Sequence, residues 1–195
     1  MNGLLFQRAA FAVLLCSVVA AEGWAADRTF HFKVGYDVGG DTLATVIYAD
    51  GDTDRIKANE GFFFGAGVSL LNDAKSIEAE ISLAAKFGGS VASNGDVTFM
   101  AFPLEALVFY RWPSVRLGGG ISYHLAPGLD VSGAGGSFAT DTDYKNSLGF
   151  VLQADYRVTE KLNIGLRFTS IDYDEKNSSA SFDGNSLGIV FGGSF

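Results

Sequence analysis

Cysteine is all but missing from this chain. Cys16 is the single one, and it lies in an apolar amino-terminal stretch. The remainder therefore has neither a disulfide framework nor a thiol nucleophile. A lipoprotein reading needs a small residue before that cysteine, and Leu15 stands there. Basic charge is also short: 14 Lys and Arg face 22 Asp and Glu, for a net charge of −8. A nucleic-acid surface needs the opposite excess, so no nucleic-acid partner is expected. With only three prolines beside 25 glycines and 17 phenylalanines, the composition suits strands and loops rather than disorder. Helix-length apolar runs are lacking everywhere except at the start.

That start reads as a secretory signal. Arg8 supplies a basic head, residues 9–21 are apolar, and Gly23-Trp24-Ala25 offers a small-x-small cleavage site. About 20 apolar residues are needed to span a bilayer as a helix, and this run is shorter. Residues 1–25 are thus expected to be removed, leaving 26–195 as one domain.

Beyond residue 27, eight stretches alternate apolar with polar or small residues at period two, the strand signal. Phe30, Phe32, Val34 and Tyr36 share one face, with His31, Lys33 and Asp37 on the other. Ile81 and Leu83 oppose Glu78, Glu80 and Lys86; Leu104 and Tyr110 oppose Glu105 and Arg111. Leu117, Ile121 and Tyr123 oppose Arg116, Ser122 and His124, while Leu152 and Tyr156 oppose Asp155 and Arg157. Leu166 and Phe168 oppose Arg167, and Leu187, Ile189 and Phe191 close the series.

Short connections at 72–75, 112–114 and 159–161 alternate with longer polar ones at 39–60, 88–96, 127–146 and 175–184. Even strand number, short and long connections in turn, and one apolar face identify a transmembrane barrel. In hydrocarbon an open sheet edge is untenable, so the sheet must close. The predicted fold is an all-β, closed, antiparallel eight-stranded barrel whose lumen is filled by side chains. A soluble lipocalin-like barrel would leave the nearly pure apolar face as a large exposed patch. Pro103 cannot donate to a ladder and predicts a bulge or kink. Residues 42–48 and 55–58 can pair as a hairpin inside the first loop, turned by Asp50-Gly51.

The chain resembles the OmpA/OmpX-type small outer-membrane barrels across its mature length. The most motif-like part is Leu187-x-Ile189-x-Phe191-x-x-x-Phe195. It is similar to the terminal strand that the outer-membrane assembly machinery recognises, so Phe191 and Phe195 are its expected signal. Gly193 departs from the pattern, where a bulkier outward residue is usual. No peptidoglycan-binding domain is expected after Phe195. The resemblance implies a monomer in the outer membrane of a Gram-negative bacterium, in contact with lipid and lipopolysaccharide, with both termini periplasmic.

Lys33, Lys86, Arg111, Arg116, Arg157 and Arg167 nearly balance Asp37, Glu78, Glu80, Glu105 and Asp155 on the inward face. Paired and hydrogen-bonded, they can fill the lumen as an ion-pair network; exchanging partners, they would line a narrow small-solute channel. Ser122 and His124 share that face and are the candidates for acyl transfer. Some small outer-membrane barrels act on lipid A, but the deacylase pattern His-x-Ser-Asn is missing, since Leu125-Ala126-Pro127 follows His124. His31 has no nucleophile in view. Asp50, Asp52 and Asp54 have the spacing of a calcium loop, yet Arg55 takes the glycine position and Gly61 the twelfth. Neither a metal nor a cofactor is expected. The expected function is a structural or surface-interaction role in the envelope rather than turnover, with lipid A modification or a narrow channel as the alternatives.

Overall fold

In the computed structural model, residues 27–47, 52–92, 95–132 and 141–195 are described. The expected signal segment and Cys16 lie outside them, as do Asp50 and Gly51. Eight strands form the wall: β1 Asp27–Gly39, β2 Gly61–Leu71, β3 Ile77–Ala92, β4 Gly95–Arg111, β5 Val115–Ser132, β6 Ser147–Arg157, β7 Leu162–Ser170 and β8 Ser186–Ser194. Each pairs antiparallel with its sequence neighbours, and β1 pairs with β8, from His31 opposite Ser194 to Gly39 opposite Ser186. The sheet therefore has no edge, as a hydrocarbon surrounding requires.

Period-two alternation sets the faces. Along β1, His31, Lys33 and Asp37 are buried while Phe30, Phe32, Val34 and Tyr36 are exposed. Phe30, Ile81, Leu152 and Leu166 are each about 60% exposed, which marks the outer wall as the lipid-facing band. Inside, bulky and small residues are matched across strands. Phe63 lies opposite Gly35 and Phe109 opposite Gly118, and a Cβ on either glycine would come within 2.5 Å of the facing ring. Asp37 rests on Gly188, and Asp155 on Gly165. Inward glycines thus make room for the charged and aromatic groups of the neighbouring strand.

Parts of two connections expected as loops are strand. β3 continues to Ala92 and β4 begins at Gly95, with Ser90 opposite Val97, so little of residues 88–96 is loop. The small residues Gly88 and Gly89 do not break the strand; Gly88 lets the backbone of Glu60 press against it. Likewise β5 runs past Pro127 to Ser132, placing Leu129 opposite Phe99. The bulge or kink expected at Pro103 is not there, since Pro103 stays in register opposite His124; the irregularity lies between Met100 and Phe102. There Ala126 and Pro127 of β5 face Ala101 alone, and Ala126 takes a φ of 45°. The first-loop hairpin is present, with Thr42–Ile47 paired to Thr53–Lys57. A second hairpin above β7 pairs Asp172–Asp174 with Ser181–Asp183.

No described helix is long and apolar enough to cross a membrane; the crossing is made by strands. Because the lipid band is apolar, Leu166→Arg is expected to cost about 2–4 kcal/mol if it lies near the midplane, and an arginine at Val158, beside a turn, about 0–1 kcal/mol. Equilibrium urea unfolding in lipid vesicles checks both values.

Candidate functional site

The side chains that alternation turns inward meet across the barrel in layers. In the central layer Glu105 of β4 receives Lys33 from β1 and a two-pronged guanidinium from Arg167 of β7, whose Nη1 donates at 3.2 Å. The Ser122 hydroxyl donates to the same carboxylate at 3.1 Å. β1 and β7 flank β8, and the inward positions of β8 include Gly188 and Val190, so both cations can reach the opposite wall. Arg167 also lies over the Phe63 ring, 5.1 Å from its centroid.

Towards the turn end, Arg116 bridges three carboxylates. It donates to Asp155 from Nε at 2.6 Å, meets Glu78 at 3.2 Å and bonds Glu80. Its guanidinium stacks 4.2 Å from the Phe109 centroid. Arg111 adds a contact to Glu78 at 3.4 Å. Towards the loop end, Lys86 donates at 2.6 Å to both Asp37 and Asn59. Asn59 comes from the first loop at a φ of 65°, and its amide donates to the Gly184 carbonyl and the Ser186 hydroxyl, each at 2.9 Å.

Above this layer the mouth is filled by an apolar cluster. Ala44, Val46 and Ile56 of the first hairpin pack with Val97, Phe99, Leu129, Tyr144, Ile171 and Tyr173. Tyr173 meets Phe99 edge to face at 5.5 Å, and its hydroxyl lies 2.7 Å from His124 Nδ1. Burial and the Glu175 carboxylate push the Tyr144 phenol up to about 12, so it is neutral in the cap.

Of the eleven charged residues expected inside, ten take part in ion pairs of the lumen. Arg157 does not join them: it ends β6 at the rim and donates to the Pro113 carbonyl at 3.2 Å. Strand parity points it inward, but its height puts it outside the ladder. Ser122 and His124 are buried on one face, yet they bond Glu105 and Tyr173 rather than each other. The expectation that His31 lacks a hydroxyl neighbour is corrected, because Ser69 Oγ lies 2.9 Å from its Nδ1. That pair needs the β1–β2 register, which no local pattern reveals. Asn59 and Tyr173 also escaped the sequence: Asn59 is a loop residue folding into the lumen, and Tyr173 continues the inward alternation of Arg167, Thr169 and Ile171 beyond β7.

Asp52 and Asp54 are exposed on the first hairpin, and Asp54 accepts from the Arg55 amide at 2.8 Å. Asp50 lies outside the described residues. Among the described residues no three His, Cys, Asp or Glu side chains are grouped to hold a metal ion. Phe195 pairs with Phe30 through backbone bonds in both directions and stacks on it at 6.3 Å. A Cβ on Gly193 would come within 2.5 Å of the Phe32 ring, so a β1 aromatic takes the place of the missing outward side chain.

The family model of the outer membrane protein beta-barrel domain matches residues 11–195. The chain belongs to that family. It is an OmpA/OmpX-type small barrel of the outer membrane, a surface or envelope protein. Among solved structures, the attachment invasion locus protein Ail of Yersinia pestis, in complex with the heparin analogue sucrose octasulfate, is similar at a TM-score of 0.54 and 12% identity. That likeness covers 87% of this chain and 99% of Ail. Neisserial surface protein A matches at 0.51 and 14% identity, over 88% of this chain and 99% of its own. At those identities the likeness concerns the fold alone. No curated protein sequence matches the chain significantly.

Because Glu105 neutralises two buried cations, Glu105→Ala is expected to destabilise the barrel by about 3–5 kcal/mol. Ser122→Ala removes one neutral donor and is expected to cost about 1 kcal/mol. Urea unfolding midpoints of the two variants, measured side by side, check the ranking.

Proposed function

We propose that this barrel is a fixed support for outward-facing loops, working by surface contact rather than by turnover or by a standing pore. The observation that carries the reading is a double blockage of the lumen. The Glu105 layer fills its middle, and the hairpin Thr42–Ile47/Thr53–Lys57 seals its loop end with apolar side chains. A charge layer and a dry cap in series leave no continuous polar path for a solute. Ser122 and His124, each held by a different partner, supply no paired nucleophile and base.

Short turns at one end and longer connections at the other support an orientation with both termini and the turns in the periplasm. Phe191 and Phe195, exposed on the closing strand, suit recognition by the assembly machinery. The lipid band runs around the whole wall, which supports a monomer in contact with lipid on all sides.

The loop face is acidic. Asp41, Asp54, Asp130, Asp141, Asp172 and Asp183 are exposed there, against an exposed Arg55. Lys145 and Lys176 are partly spent on Asp174 and Asp143, at 4.0 and 3.4 Å. A sulfated sugar such as the one bound to Ail would be repelled by this face, so the partner of this reading is a basic surface. Cells displaying the protein should adhere to polylysine-coated but not heparin-coated surfaces, and lose adhesion as salt shortens the Debye length. Shortening the connection between Ser132 and Thr142, which leaves β5 and Tyr144 intact, should abolish adhesion while the barrel still folds. Mass spectrometry should find the lipid A acyl pattern unchanged. Heparin adhesion would sink the acidic-face account, and an altered acyl pattern abolished by Ser122→Ala would restore an enzyme.

A further inference from the structure

At the turn end the lumen opens into a cavity of about 170 Å³, lined by His31, Glu78, Arg111, Gln153, Arg157, Lys161 and Asn163 among others. The ladder above it has no carboxylate to spare. Asp37 is taken by Lys86, Glu78 by Arg111 and Arg116, Glu80 and Asp155 by Arg116, and Glu105 by Lys33 and Arg167. Arg157 is then the inward cation with no ion pair among the described residues, and it stands at the mouth of the cavity.

Its neighbours are short of partners too. Asn163, directly opposite Arg157 in the β6–β7 register, has an amide nitrogen with no acceptor. Behind Asn163 lies Gly192, whose missing side chain leaves the amide its place. Deeper in, His31 is 94% buried; Ser69 occupies its Nδ1, and its Nε2, 3.9 Å from Glu80 Oε2, has no hydrogen-bond partner. Gln153, 97% buried, has a side-chain oxygen without a donor. Buried polar atoms normally find partners, and several orphans around one cavity point to a ligand of matching pattern. The set needs negative charge, several acceptors and at least one hydroxyl.

We propose that this cup binds a small hydroxyl-bearing oxyanion, hydrogen phosphate or a phosphate monoester, through the Arg157 guanidinium and the Asn163 amide. Guanidinium and phosphate form paired, charge-assisted hydrogen bonds, which suits an arginine not committed to a carboxylate. Lys161 at the mouth adds attraction, and the ligand's own hydroxyl answers the Gln153 oxygen. The site is at the opposite end from the loops and stands independently of the surface-contact reading.

The test uses the full mature chain in phospholipid-free detergent micelles, titrated with inorganic phosphate at constant ionic strength set by chloride. Saturable NMR shifts are expected at Asn163, Gly192 and Arg157, with none at the loop end. Acetate, lacking the hydroxyl, should bind more weakly. Arg157→Gln should weaken phosphate by about tenfold or more, the loss of a charged hydrogen bond. Asn163→Asp should abolish binding, because it sets a carboxylate beside the anion. Both positions are half-exposed at the barrel end, and a dispersed strand spectrum confirms folding; if either variant fails to fold, Arg157→Lys replaces it, with weakened binding expected. In nanodiscs containing phosphatidic acid, a lipid phosphate monoester, and no inorganic phosphate, the same shifts would assign the site to a lipid headgroup; shifts only on adding phosphate would assign it to a free solute. No saturable shift in either setting, or variants that titrate like the native chain, would overturn the proposal.

Discussion

One carboxylate holds the interior together. Glu105 is nearly fully buried and accepts from Lys33, Arg167 and Ser122, so groups from three other strands converge on it. Two buried cations without that partner would each face a desolvation cost of several kcal/mol. Everything around it is arranged to make the meeting possible. Small inward residues on β8 give the long cations room, Phe63 and Phe109 lie against guanidinium faces, and glycines opposite those rings accept their bulk. The same economy recurs where Asp37 and Asp155 rest on Gly188 and Gly165.

The two ends of the barrel follow different physics. At the loop end, strands run on above the charge layers, and the first hairpin folds back so that its alanine, valine and isoleucine cover the mouth. Asn59 ties that hairpin to the ladder by bonding Lys86 and the backbone before β8 at once. At the turn end no such cover is present among the described residues, and the lumen ends in a polar cup. An apolar cap at one end and a polar cup at the other support the proposed reading, in which the barrel presents its loops rather than passing solutes.

Much of this was legible in the sequence, because one constraint acts on every strand. A membrane-spanning wall must be apolar outside, and a two-residue period then assigns each side chain to a face; Lys33, Glu80 and Arg116 were placed inside on that basis alone. Pairing was not legible. Which cation meets which acid depends on register and height around a ring, so Arg157 was grouped with the ladder though it stands at the rim. The Ser69–His31 contact was missed for the same reason. Glycine and serine near residues 88–90 suggested a loop, whereas the extended strands use those small residues for close packing. Asn59, a loop residue that folds into the lumen, carries no periodic signal, whereas Tyr173 continues the inward alternation of Arg167, Thr169 and Ile171 past the end of β7.

The central claim is that the lumen is blocked by side chains belonging to the fold itself. Single-molecule conductance in planar bilayers tests it most directly. The folded native chain should insert without any sustained conductance step across the range of voltages the bilayer tolerates. A stable, reproducible open level from the native chain would contradict the account, since ions could then pass both the Glu105 layer and the apolar cap.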